Sequence, residues 1–265
     1  MSAAVLQEMF ASQRAAGKTA LLPFLTAGLP DAGHAVDMFK AMADAGADGF
    51  EVGIPYSDPL MDGPTIQEGG ARALAAGVDL EQGLEIADRV ATTTELPVLV
   101  MTYANVVVQT GPDEFARRAA EHGVSGLIVA DLPLEEAGPV QMAAERAGLG
   151  MVLFAAPTTN EARLQRIAQA EPAFIYGVAD LGVTGERVEA SERAGELAAR
   201  IRAMTDIPLV MGVGISTPAH AEAIAAAADG VIVGSALVRR VLEASTPEEA
   251  AASLHEAVAA FRAVL

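Results

Sequence analysis

Short runs of apolar residues without polar alternation recur along the chain, and between them apolar positions return every three to four residues. The runs are ALLPFL (20–25), GFEV (49–52), PVLVM (97–101), GLIVA (126–130), MVLFA (151–155), AFIYG (173–177), PLVMG (208–212) and GVIVG (230–234). Unalternated Val, Ile, Leu and Met mark strands covered on both faces, as in a parallel sheet. The intervening spacing predicts helices over 32–45, 65–76, 80–91, 113–122, 135–147, 161–170, 192–204 and 218–227, and a last one over 247–264. Residues 1–18, with Glu8 among apolar positions, read as a further amphipathic helix.

Eight strand–helix units in roughly 250 residues fit an α/β chain of the (β/α)₈ type, a TIM barrel. An extra helix precedes the first strand, and a short helix, SALVRR from Ser235, follows the eighth. A doubly wound open sheet would show fewer strands and a Gly-rich turn after the first, whereas here the glycines cluster late. The expectation is a single domain spanning residues 1–265.

Composition narrows the possibilities. The formal net charge of −18 argues against nucleic acid or an anionic membrane as partner. No run of apolar residues is long enough to span a bilayer, and the N-terminal stretch does not read as a signal peptide, so a cytoplasmic enzyme is expected. Without cysteine there is neither a thiol nucleophile nor a thiolate metal site. The two lysines, Lys18 and Lys40, fall away from the predicted strand ends, which disfavours Schiff-base chemistry. His34, His122, His220 and His255 fall on or beside helices, so no metal site is expected.

In this fold the chemistry sits at the C-terminal ends of the strands and in the loops that follow. Those positions hold Phe24, Glu51 with Asp62, Tyr103 with Asn105, Asp131, Thr158, Tyr176, Gly212 with Gly214, and Gly234 with Ser235. Glu51 stands out because a carboxylate inside an apolar strand is costly to bury unless it is paired or neutral. A salt bridge at the strand end would explain it; so would a carboxyl group with a tuned proton affinity. GVTG (182–185), GVG (212–214) and GS (234–235) lack bulk near their turns, which lets backbone N–H groups approach a phosphate. Acid–base chemistry by carboxylates, and by a tyrosine, on a phosphorylated substrate is the reading these residues leave.

The chain resembles the α-subunit family of tryptophan synthase over nearly its full length. The resemblance rests on LLPFLTAGLPD, FEVGIPYSDPLMDGPTIQ, MTYAN, VADLP, GVTG, GVGIS and DGVIVGSALV, in the family's order. It implies retro-aldol cleavage of indole-3-glycerol phosphate to indole and glyceraldehyde 3-phosphate. Glu51 matches the family's main acid–base group, Asp62 the aspartate that accepts the indole N–H, and Tyr176 a tyrosine beside the catalytic glutamate. Phe24 and Tyr103 would line the indole pocket. Gly212 with Gly214, Gly234 with Ser235, and Gly185 would hold the phosphate, and Thr184 would sit on a closing loop.

The resemblance further implies a β subunit as partner in an αββα assembly, faced by Asp58 and Pro59. Pyridoxal phosphate is expected only in that partner, so no cofactor is expected here. Ala179, Asp180, Glu186 and Val213 depart from the family's usual residues at loop six and near the indole. Alternatives are a stand-alone lyase that releases indole, a non-catalytic activator of a β subunit, and another phosphate-binding barrel. An activator would need neither Glu51 nor Asp62, and the loop-two sequence around these residues does not fit the last.

Overall fold

The computed structural model describes residues 2–178, 187–212 and 214–265. Its strands are β1 (Ala20–Thr26), β2 (Phe50–Gly53), β3 (Val98–Thr102), β4 (Gly126–Val129), β5 (Gly150–Ala155), β6 (Phe174–Val178), β7 (Leu209–Gly212) and β8 (Gly230–Val233). They are parallel and close into a barrel in sequence order, sealed where Ala20 to Pro23 of β1 pair with Gly230 to Val233 of β8. The (β/α)₈ architecture read from the sequence is therefore the observed one. Every strand residue is buried except Phe154 and Val178, which are half-buried at the mouth.

The helices are α1 (Ala3–Ala15), α2 (Ala35–Asp44), α3 (Pro64–Ala75), α4 (Leu80–Thr94), α5 (Ala104–Thr110), α6 (Pro112–Glu121), α7 (Gly138–Arg146), α8 (Glu161–Gln169), α9 (Arg187–Arg202), α10 (Pro218–Ala225), α11 (Ser235–Glu243) and α12 (Pro247–Arg262). Helix α9 begins at Arg187, five residues before the expected 192, and three others depart from expectation for local reasons. Helix α2 starts at Ala35, not residue 32, because Asp31 Oδ1 accepts the Gly33 and His34 N–H groups and holds a turn there. Helix α7 starts at Gly138, not residue 135, because residues 133–137 turn, with the Glu136 N–H donating to the Pro133 carbonyl, and Pro139 then opens the helix.

Helix α5 has no periodic signal in the sequence. Its run of valines disfavours a helix, yet Asp131, from beyond β4, accepts the Ala104 N–H at 2.6 Å and so caps it.

The bottom of the barrel is closed by helices from both ends of the chain. Asp48 accepts hydrogen bonds from Leu21 N–H (2.8 Å), Gln13 of α1 (2.7 Å) and Arg262 of α12 (2.8 Å). Asp229 accepts from Arg14 of α1 (2.8 Å) and from Leu209 N–H (2.9 Å). The mouth at the opposite end is thereby left to the loops. Among the described residues no helix is long and apolar enough to cross a membrane.

Candidate active site

Strand β2 delivers Glu51 to the mouth, where the register sets it beside Phe24 of β1 and Leu99 of β3. Its side chain is only 3% exposed, and Oε2 is buried with no hydrogen-bond partner among the described residues. The salt bridge that would have explained a strand-end glutamate is not formed by the described residues. Burial, and secondarily the charge of Asp62, push the Glu51 carboxyl up to about 8. At neutral pH it is therefore a protonated acid poised to give and retake a proton.

Loop two, residues 54–63, folds back over the mouth and brings Asp62 in. Gln67 of α3 anchors the loop by donating to the Asp62 carbonyl at 2.8 Å. Burial raises the Asp62 carboxyl above its usual range, opposed by a hydrogen bond from the Tyr103 hydroxyl. Tyr176 of β6 is buried between Phe154 and the two acids. Desolvation, with the charges of Glu51 and Asp62, holds its phenol well above the ordinary value, so it stays neutral.

Two cavities meet at these groups, and Glu51, Asp62, Tyr176, Met61 and Met101 line both. The smaller, about 230 Å³, ends at Gly214, Gly234 and Ser235. Two helix N-termini reach it: Gly63 precedes α3 and Gly234 precedes α11, and neither end is capped by a side chain. Such ends present free N–H groups and a partial positive charge. Gly214 sits at φ 80°, where a side chain would be strained. The larger cavity, about 650 Å³, is walled by apolar residues that include Ile128, Leu132, Phe154 and Val178. Among the described residues lining either cavity the one cation is Arg163, already paired with Glu135 at 2.8 Å. An anion in the smaller cavity would thus meet backbone dipoles, not ammonium groups.

Glu51, Asp62, Tyr176, Phe24, Gly214, Gly234 and Ser235 are brought together at this mouth. Two other expected residues lie elsewhere. Tyr103 lines neither cavity; it is 2% exposed, stacked on Tyr56, and its hydroxyl accepts the Met61 N–H at 3.2 Å. Gly212 also lines neither, because a Cβ there would fall 2.1 Å from the Tyr176 hydroxyl. Its place is behind the tyrosine, as room for that ring.

Gly53, which the sequence did not single out, does the same for Phe24: a Cβ there would lie 2.7 Å from the ring. The signal was its position two residues after Glu51 at the end of an apolar strand. Thr184 and Gly185, with Ala179, Asp180, Glu186 and Val213, lie outside the described residues. Asp58 is exposed and Pro59 half-buried at the tip of loop two.

A family model described as "Tryptophan synthase alpha chain" matches residues 10–264. The alpha chain of Picosynechococcus sp. is 46% identical over 252 residues, 95% of each chain. That of Geobacillus thermodenitrificans is 42% identical over 225 residues, 84% of each. Among solved structures, tryptophan synthase subunit alpha from Legionella pneumophila superposes with a TM-score of 0.90 at 33% identity, covering 100% of this chain and 98% of that one. A chain of Mycobacterium tuberculosis tryptophan synthase gives 0.86 at 39% identity, covering 97% and 98%.

Proposed function

The chain belongs to the tryptophan synthase alpha chain family, lyases that cleave indole-3-glycerol phosphate, and from that premise we propose how its own residues divide the work. The indole ring occupies the larger, apolar cavity and the phosphate the smaller one, so that the bond to be broken lies at the seam. Protonated Glu51 gives its proton to indole C3. Asp62, as carboxylate, accepts the ring N–H while positive charge grows on the nitrogen. The Glu51 carboxylate then takes the proton of the glycerol C1′ hydroxyl as the C3–C1′ bond breaks. The bonding electrons return to the ring, the hydroxyl carbon leaves as the aldehyde of glyceraldehyde 3-phosphate, and Glu51 ends protonated as it began. One carboxyl group serves both steps because burial sets its proton affinity near the working pH.

The observation that carries this reading is the buried, unpaired Glu51 carboxyl at the junction of an apolar and an N–H-lined cavity. Tyr176 lines both cavities beside the same carboxyl, and Gly214, Gly234 and Ser235 bound the phosphate side; Phe24, expected against the indole, lies in the wall of this smaller cavity and not of the larger one. Release of indole from indole-3-glycerol phosphate by the purified protein, lost in Glu51→Gln while the fold survives, tests it. Unimpaired turnover in that variant would remove Glu51 from the role.

A β subunit is the partner this reading expects, in an αββα assembly that takes up the indole, with pyridoxal phosphate held by the β subunit. Besides Asp58 and Pro59, support comes from the tip of loop two, where Leu60 is 88% and Met61 63% exposed, an apolar tip beside the reaction site. Residues 1–265 act as one domain in this reading, in the cytoplasm. Indole release measured with and without added β subunit separates it from a stand-alone lyase: strong stimulation supports the assembly, and full activity alone argues for independence.

A further inference from the structure

Loop two poses a physical problem. It must hold Asp62 at the mouth, yet Leu60 and Met61 beside it are exposed and apolar, and contribute little packing to keep the loop down. The buried group that reaches the loop from beneath is Tyr103. Its ring is fixed against Tyr56 with centroids 5.0 Å apart, and its oxygen lies 3.2 Å from the Met61 N–H it accepts. Asp62 is the next residue, and its carboxyl is near enough to the phenol for each to bear on the other's proton affinity. The phenol thus holds the loop at the backbone N–H immediately before Asp62.

We propose that Tyr103 is a positioning residue whose hydroxyl pins loop two so that Asp62 faces Glu51, and that through Asp62 it sets how tightly Glu51 holds its proton. The inference rests on the proposed acid–base role of Glu51 and adds a group that touches no substrate. Its logic is electrostatic. The charge of Asp62 opposes ionisation of Glu51, so a phenol that holds the loop down keeps that charge close to Glu51 and the opposition in place.

Among the described residues the other groups facing this cluster are few. Tyr176 of β6 lies against both acids, and Asp131, beyond β4, bears on Tyr103. Arg163 of α8 stands at the rim, paired with Glu135. Strands β1 and β8 present Phe24 and Ile232, which carry no charge. The Tyr103 phenol itself is held above its ordinary range by burial first and then by Asp62, so it remains a donor throughout the working pH.

Tyr103→Phe keeps the ring and its stacking and removes only the hydroxyl. The Glu51 carboxyl can be followed by carbon-13 NMR titration, its signal assigned by its loss in Glu51→Gln. The expected result is a lower titration midpoint for Glu51 in Tyr103→Phe than in the parent. The alkaline limb of the kcat profile should move down with it, and kcat should fall about tenfold, the worth of one hydrogen bond to a charged group. Asp62→Asn should shift Glu51 in the same direction by itself. In the Tyr103→Phe/Asp62→Asn double variant the phenol's loss should add nothing further.

An unchanged Glu51 midpoint in either single variant overturns the proposal, and so does an equal Tyr103→Phe shift with and without Asp62. Thermal melts of each variant confirm that a folded protein is being titrated, and Asp62→Asn keeps the test alive should Tyr103→Phe not fold. The titration needs no turnover, so a parent protein that fails to cleave the substrate would sink the assigned reaction without touching this coupling.

Discussion

The two ends of the barrel bury carboxylates in opposite ways. At the bottom, Asp48 and Asp229 are taken from water but meet N–H and guanidinium donors on both oxygens. At the mouth, Glu51 is buried more deeply still, and one oxygen has no donor among the described residues. The bottom pairs tie α1 and α12 to the strands; the mouth acid is left with a displaced proton affinity and a cavity in front of it. Burial lifts the Asp48 carboxyl above its usual range as well, so a raised proton affinity alone does not mark the functional acid. The unmet hydrogen-bonding demand does, because it costs stability that a purely structural residue would not be kept to lose.

The sharpest test of this contrast is Glu51→Gln, which keeps shape and removes the titrating proton. Indole release should fall on the order of 10³-fold, within the range of general acid–base catalysis, as read by steady-state turnover. The same variant should gain stability relative to the parent as pH rises. A carboxyl with a folded value near 8, well above its unfolded one, favours the folded state fully at acid pH, and that contribution is lost as pH rises toward and through 8. Melting curves of parent and variant should thus lie close together at about pH 4, diverge as pH rises from there to 8, and run parallel above it, the variant then being more stable by on the order of a few kcal/mol. Activity of the parent should likewise decline above about 8, where Glu51 no longer carries its proton at the start of the cycle.

Arg262→Ala should have the opposite sign. It strips Asp48 and the Thr19 carbonyl of their shared donor and should cost about 2–3 kcal/mol in chemical denaturation, the scale of lost hydrogen bonds to charged groups. A next, smaller effect separates wall from floor. Gly212→Ala sets a methyl against the Tyr176 hydroxyl and should cost about 1–3 kcal/mol by overpacking. Turnover should drop along with stability as Tyr176 shifts toward Glu51. Asp58 is a third kind of acid, exposed and unburdened by burial. Asp58→Ala should weaken binding of a β subunit only a few-fold, less than about 1 kcal/mol, in a titration followed by calorimetry.

The sequence made the barrel legible because strands buried on both faces cannot alternate, and their apolar runs survive without an alignment. Glu51 was legible for the complementary reason: it breaks such a run. Helix α5 was not, since its seven residues include three valines in a row and its N-terminal cap comes from Asp131, 27 residues further on. Tyr103 was legible as a mouth residue but not as a tether, because its partners Met61 and Asp62 come within reach only when loop two folds back. Gly212 and Gly53 carried the opposite ambiguity. A glycine at a strand end serves a ligand and a neighbouring ring equally well until the ring's position is known, and here both serve rings.

The cavity bounded by Gly214, Gly234 and Ser235 has a consequence of its own. Its attraction for an anion comes from peptide groups at helix starts, with no lysine or arginine among the described lining residues. Peptide dipoles cannot be deprotonated, acetylated or neutralised by a single side-chain exchange. The part of the grip that comes from helix starts would keep its strength across the interval in which Glu51 changes its charge, leaving the repulsion of Glu51, which lines the same cavity, as what changes. Rising pH would then loosen the bound substrate only through the carboxyl that also carries the chemistry.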